Sequence, residues 1–185
     1  MGSERNGTNF TWSFPRQQSS SCLTRRPRLM VCLALSSSPR LDEVSVMYYY
    51  VEPEVAGGLG EDTVLDTTVH PPIVHSLQYV FDDWLGDQFL ESFPCFIVTE
   101  AVAAAIKEAG LSGCSFGPVD VKKSDVFEEL NPGGVLPEFV WLKVDGVAGV
   151  SDFGLTEDHR LVISEVANKL FNNFGLENAD FRTFG

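Results

Sequence analysis

Residues 47–185 are predicted to form one α+β domain: a mixed sheet with two or more packed helices, containing a repeated strand–helix–strand unit. Three observations lead there. Residues 96–116 (FIVTEAVAAAIKEAGLSGCSF) align without gaps to residues 161–181 (LVISEVANKLFNNFGLENADF) at a constant offset of 65. Short β-rich runs lie between turn signals elsewhere in this stretch. The chain is 44% apolar and 11% aromatic over 185 residues, enough to bury a core of that size.

The first 46 residues read differently. Residues 3–28 are polar, rich in Ser and Arg and without period, the composition of a disordered segment. Residues 29–35 (LMVCLAL) are apolar. Three readings stay open for this leader: a disordered extension ahead of a natural start at Met47, an ordered strand or helix, or an export signal following Arg25-Arg26. Pro27 and Arg28 interrupt the last of these, and no small-x-small cleavage site follows cleanly.

The body opens on a strand at residues 48–51 (YYYV). Residues 53–72 are expected to be mostly loop. A strand follows at 77–81 (LQYVF), where β-formers alternate with polar positions. In the aligned units, a buried strand of about three apolar residues runs into Thr99 or Ser164, whose hydroxyl can accept an orphan helix N–H. Glu100 and Glu165 occupy the first turn, where the helix dipole favours an anion. Gly110 and Gly175 suit the left-handed position after the helix, with Leu111 and Leu176 folding back on its last turn. The apolar stripe is read as Ala101, Ala105, Ile106 and Ala109 in one unit, and as Val166, Leu170, Phe171 and Phe174 in the other. Residues 115–122 form a strand interrupted by Pro118, a bulge or edge. Asn131-Pro132-Gly133-Gly134 is a turn, residues 138–144 (EFVWLKV) are a strong strand, and Asp145-Gly146 predicts a tight hairpin into residues 147–153.

Charge divides the chain as composition does. The leader holds six Arg and three acids; the body holds seven basic residues against 23 acids, a balance of −16. Such a body disfavours nucleic acid, which is bound through Lys and Arg, and anionic membrane surfaces. It suits a cationic partner, whose encounter it would accelerate, and it also serves solubility. Cys22, Cys32, Cys95 and Cys114 form no CxxC pair and no dense framework, which predicts a reduced, cytoplasmic protein.

No constellation for catalysis stands out. His70 and His75 lie five apart in a proline-containing segment, too sparse for a zinc site. Cys95 and Cys114 read as small core residues. Gly57-Gly58-Leu59-Gly60 lacks the context of a phosphate loop, and Ser151 and Ser164 lack that of a nucleophile elbow. No catalytic residue, metal site or cofactor is therefore assigned. The paired acids Asp82-Asp83, Glu128-Glu129 and Glu157-Asp158 read as solvated surface. The exception is Asp82-Asp83-Trp84-Leu85-Gly86-Asp87, where acids flank an aromatic and an aliphatic residue as in an interface anchor. Asp82, Asp83, Trp84 and Asp87 are the candidate partner-binding residues; core packing is the competing role for Trp84.

The layout from Tyr48 through Asp82–Asp87, Phe96-Ile97-Val98-Thr99-Glu100, Gly110-Leu111-Ser112-Gly113 and Phe116, with Leu161-Val162-Ile163-Ser164-Glu165 and Asn178-Ala179-Asp180-Phe181 at the end, resembles bacterial immunity proteins of polymorphic toxin systems. The resemblance covers most of residues 47–181 and rests on layout and short phrases. It implies a cytoplasmic antidote that binds and neutralises a cognate toxin domain, and it carries no catalytic residues. The charge points to a basic toxin. The alternative is a small enzyme or ligand-binding α+β domain with a pocket near Trp84, Trp141 or His75.

Overall fold

The computed structural model describes residues 46–185. The leader, Val46 excepted, lies outside the described residues, and with it Cys22, Cys32 and the apolar run at 29–35.

The described chain is mixed α/β and mostly sheet, with twelve strands in three sheets and three helices. Sheet one has the order β10 (Phe153–Leu155), β11 (Leu161–Ser164), β1 (Tyr48–Glu52), β12 (Asp180–Phe184), antiparallel throughout. Sheet two is built on β4 (Ile73–Phe81). There β2 (Gly57–Leu59) and β3 (Val64–Asp66) pair antiparallel with its two halves, and β8 (Val119–Lys123) runs parallel to residues 77–81. Sheet three has the order β5 (Phe89–Ser92), β6 (Cys95–Thr99), β9 (Phe139–Val144), β7 (Cys114–Gly117), again antiparallel. The helices are α1 (Glu100–Ala109), α2 (Asp125–Leu130) and α3 (Glu165–Asn172).

Sheet three is buried on both faces, which explains why β6 reads as an unbroken apolar run rather than an alternating one. Phe96, Val98 and Leu142 face one core with α1, α3 and sheet one; there Phe171 stacks on Phe89 at 4.7 Å and meets Phe153 edge-on at 5.9 Å. Cys95, Ile97 and Trp141 face a second core with Tyr79 and Phe81 of sheet two and Phe127 of α2.

Local chemistry sets the helix ends. The Thr99 hydroxyl accepts the Val102 N–H and the Ser164 hydroxyl that of Ala167. Gly110 holds φ 65°, the left-handed cap that a side chain resists. α3 ends differently: its cap is Asn173 in right-handed geometry, with Gly175 (φ 71°) two residues later. The strands on either side of each helix share a neighbour. Leu142 of β9 pairs with Phe96 and Phe116; Val51 of β1 pairs with Leu161 and Phe181, each 65 residues on.

Several expectations need correction. The segment 53–72 is mostly loop as expected, but it also contains the short strands β2 and β3. Gly57 is in a strand because it pairs with β4, and it is a glycine because a Cβ there would overlap the Val80 carbonyl oxygen across the pair. Residues 115–122 are two strands: at Pro118, which has no N–H to give, the chain leaves sheet three and joins sheet two. Asp145-Gly146 makes no hairpin, because both N–H groups donate to the Gly113 carbonyl at 3.0 Å and β10 pairs with β11 instead. The stripe on α1 is rotated by a residue. Val102, Ala103 and Ile106 are buried while Ala101 and Ala109 are exposed; on α3, Ala167 and Phe171 are buried and Val166 is exposed.

Candidate functional site

The turn after β4 holds the four residues singled out in the sequence, and the structure divides them. Asp82 and Asp83 donate their N–H groups to the Ala56 carbonyl and leave their carboxylates in solvent. Asp83 Oδ1 accepts the Trp84 N–H at 2.7 Å and Asn131 Nδ2 at 3.2 Å. Trp84 is half-buried: its Nε1 donates to the Asp87 carbonyl at 2.8 Å, and its ring meets Phe139 edge-on at 6.2 Å.

Asp87 is not a surface acid. It is 2% exposed, and its carboxylate accepts the N–H groups of Glu177 and Asn178 and the Asn178 Nδ2, at 2.9–3.0 Å. A carboxylate so engaged fastens the turn to the segment after α3 and has nothing left for a partner. Glu54 does a similar job from β1's side. Its buried carboxylate accepts the Leu85 and Asp87 N–H groups at 2.7 and 3.1 Å. Burial raises its pKa, those two bonds oppose the rise, and the charges of Asp87 and Asp83 add to it.

With both ends tied, the turn stands as a ridge between two acid-lined depressions. On one side lies a groove. Its first stretch, about 470 Å³, is lined by Trp84, Gly86, Gln88, Thr99, Glu100 and Glu138. Its second, about 530 Å³, shares Glu100, Pro137 and Glu138 and continues along Val119, Val121, Lys123, Val135 and Leu136. The N–H of Glu100 donates to the Glu138 carbonyl at 2.9 Å, so the start of α1 and the start of β9 bring two exposed carboxylates to the middle of the groove. Among the described residues the one cation lining it, Lys123, bonds the Gly134 carbonyl and lies 3.4 Å from Glu128. On the other side is a depression of about 550 Å³ lined by Glu52, Glu54, Glu91 and Asp180, with Leu85 and Val55 at 66% and 70% exposure. Burial, and then the charge of Glu52, raises the pKa of Glu91. Large exposed aliphatics rimmed by carboxylates are the composition of a contact surface.

Glu138, Val135 and Leu136 were not singled out in the sequence, and Glu100 was read only as a first-turn acid of α1. The available signal was Val135-Leu136, two aliphatics inside a Gly- and Pro-rich turn that no strand required.

The nucleophile and metal candidates acquire no machinery. Burial pushes the Cys95 thiol up to about 12 and the Cys114 thiol up to about 11, so both stay protonated and unreactive near neutrality. Ser164 donates to Asp152 at 2.7 Å while capping α3, and no histidine joins them. His75 lies exposed in β4, whereas His70 approaches His159, ring centroids 6.1 Å apart. Among the described residues no group of three or more His, Cys, Asp or Glu is placed to hold a metal ion, and no helix is long and apolar enough to cross a membrane. No protein-family model matches the chain, and no curated protein is significantly similar to it.

Proposed function

We propose that residues 47–185 are a cytoplasmic immunity protein of a bacterial polymorphic toxin system, which binds a cognate basic toxin domain and neutralises it. The observation that carries this reading is the Asp82–Leu85 ridge between two depressions whose charged rims are almost wholly acidic. Paired with exposed Val55, Leu85 and Val135, those acids give a cationic partner both steering and apolar area. Asp82, Asp83 and Trp84 belong to the contact surface; Asp87 supports it from below.

Co-expression in a bacterial host tests the proposal. A toxin domain encoded beside this gene arrests growth alone and not with this protein. The association rate falls as salt rises while the dissociation rate changes little. Reversing Asp82 and Asp83 to Lys slows association. A neighbouring gene that is no toxin, or a body that neither binds nor protects, ends the immunity reading.

The strand–helix–strand segments β6–α1–β7 and β11–α3–β12 we read as two copies of one unit. Their matching registers about Leu142 and Val51 support this, as do their matching cap contacts. The Thr99 N–H donates to the Gln88 carbonyl and the Ser164 N–H to that of Asp152, at 3.0 and 2.9 Å.

A second reading, a small ligand-binding domain, is favoured by one feature. His159, at φ 62°, lines a cavity of about 140 Å³ walled by Pro71, Pro72, Phe93, Pro94, Phe96 and Trp141. A strained residue beside an apolar pocket is a common attribute of ligand sites. Soaking with a library of aromatic fragments and watching the His159 resonances decides it; no shift removes the reading.

A further inference from the structure

We infer that the groove takes its partner by strand addition: an extended, alternating apolar and basic segment of the toxin pairs with the free edge of β8. The inference rests on the immunity reading for the identity of the partner, but not for the pairing itself.

The direction of the β8 backbone carries it. The Ser124 N–H, next after β8, donates to the Phe81 carbonyl of β4 at 2.9 Å. Backbone N–H and C=O groups turn to opposite sides at alternate residues of a strand. Lys122 and Asp120 therefore also face β4, while Val119, Val121 and Lys123 aim their peptide groups away from it. Among the described residues β8 pairs with β4 alone. Val119, Val121 and Lys123 are the three β8 residues that line the groove. The groove thus presents a row of unpaired donors and acceptors along one wall. Apolar surface adjoins it from Val119, Val121, Leu136 and Val135, the last 87% exposed. Main-chain bonds supply affinity in such an arrangement, and pockets for alternate side chains supply selectivity. Here Glu100 and Glu138 select for basic positions. Lys122 does not block the edge, since its ammonium is held on the solvent face by Asp62 at 3.1 Å and Asp120 at 3.7 Å.

The probe is a synthetic peptide, Lys-Val-Lys-Val-Lys-Val-Lys with blocked ends, added to the full chain and followed by amide hydrogen exchange. In the free protein the Val121 and Lys123 amides exchange quickly and those of Asp120 and Lys122 slowly. The peptide slows Val121 and Lys123 by about tenfold or more, because exchange then requires the added strand to open. Its glutamate counterpart gives no protection, and N-methylation at alternate residues abolishes binding at unchanged charge. Val121→Pro removes only an outward N–H and weakens peptide binding by about tenfold, whereas Lys122→Pro breaks the β4 ladder and unfolds sheet two. Equal binding of the N-methylated peptide overturns the inference, whatever the Val121→Pro chain does. So does failure to protect Val121, protection already present in the dilute chain alone, or protection that grows with protein concentration. Peptide failure beside intact toxin neutralisation leaves the immunity reading standing; peptide binding without any toxin leaves strand addition standing.

Discussion

Replacing Asp87 by Ala separates an acid that holds the fold from acids that face solvent. The substitution leaves three N–H groups, from Glu177, Asn178 and the Asn178 side chain, without the carboxylate they bond at 2.9–3.0 Å. Hydrogen bonds to a charged group contribute about 1.5–3 kcal/mol each when their partners stay buried. Glu177 and Asn178 are exposed, so their segment can turn to water and recover part of the loss. The balance is a destabilisation of about 2–4 kcal/mol, large for a single substitution. At ~3 °C per kcal/mol for a domain of this size, the melting temperature falls by roughly 6–12 °C. The Asp87 side chain is buried, so a cavity adds to the loss. Asp82, whose carboxylate is exposed and accepts no hydrogen bond among the described residues, is the control, and Asp82→Ala shifts stability by less than about 0.5 kcal/mol. Thermal melts and urea titrations measure both. An Asp87→Ala protein that melts within about 2 °C of the parent refutes the structural role. If that protein also associated more slowly with the toxin, Asp87 would belong to the contact surface after all.

Three further outcomes follow from the packing and the electrostatics. Phe171→Ala empties the site between Phe89 and Phe153 and costs about 3–5 kcal/mol in urea unfolding; a loss under about 1 kcal/mol contradicts the shared core. Thr99→Ala and Ser164→Ala each cost about 0.5–2 kcal/mol, because each hydroxyl caps a helix and also donates, to Gln88 and to Asp152 respectively; two neutral variants contradict the caps. Glu91→Gln raises the melting temperature at neutral pH. Burial lifts the folded Glu91 pKa above its unfolded value, so ionisation costs stability above the folded pKa and nothing below the unfolded one, about 4.3. The advantage of the Gln variant must therefore shrink as pH falls through that window, and a gain that persists in acid points to another cause.

Short-range chemistry was the most legible part of the fold. The hydroxyl at Thr99 or Ser164, then an acid, then an apolar face, gives both helix starts from the sequence. The run 138–144 differs from β9 by one residue. What escaped depends on contacts between distant segments. β2 is two glycines and a leucine, a strand only through its pairing with β4, where the Val80 carbonyl leaves no room for a Cβ at Gly57. Gly146 reads as a hairpin residue until Gly113 is seen to take its N–H. Asp87 and Asp82 look alike in sequence; one is buried by Glu177 and Asn178, ninety residues away along the chain. The stripe of α1 was misplaced by one residue because alanines at 101, 103, 104, 105 and 109 leave the apolar face weakly marked.

The balance of −16 cannot by itself locate a binding surface, since 23 acids are spread over the whole body. The fold sorts them. Asp87 and Glu54 are buried and bonded within the turn. Asp152 accepts from Ser112 and Ser164, bonds that outweigh its partial burial and hold its pKa low. Asp62 and Asp120 hold Lys122, and Asp158 holds Arg160. Among the described residues, acids around the ridge that no Lys or Arg pairs with include Asp82, Asp83, Glu100 and Glu138, in a region where Trp84 and Val135 reach the surface. The same sorting limits where pairing can occur. Sheet three has both faces covered, so a partner cannot add to it face-on, whereas β8 is short and charged on its solvent side, as edges are that must not join their own kind. An edge protected in that way still admits a strand whose charges complement Glu100 and Glu138, and the selectivity of the site then resides in the incoming segment's basic positions rather than in its backbone.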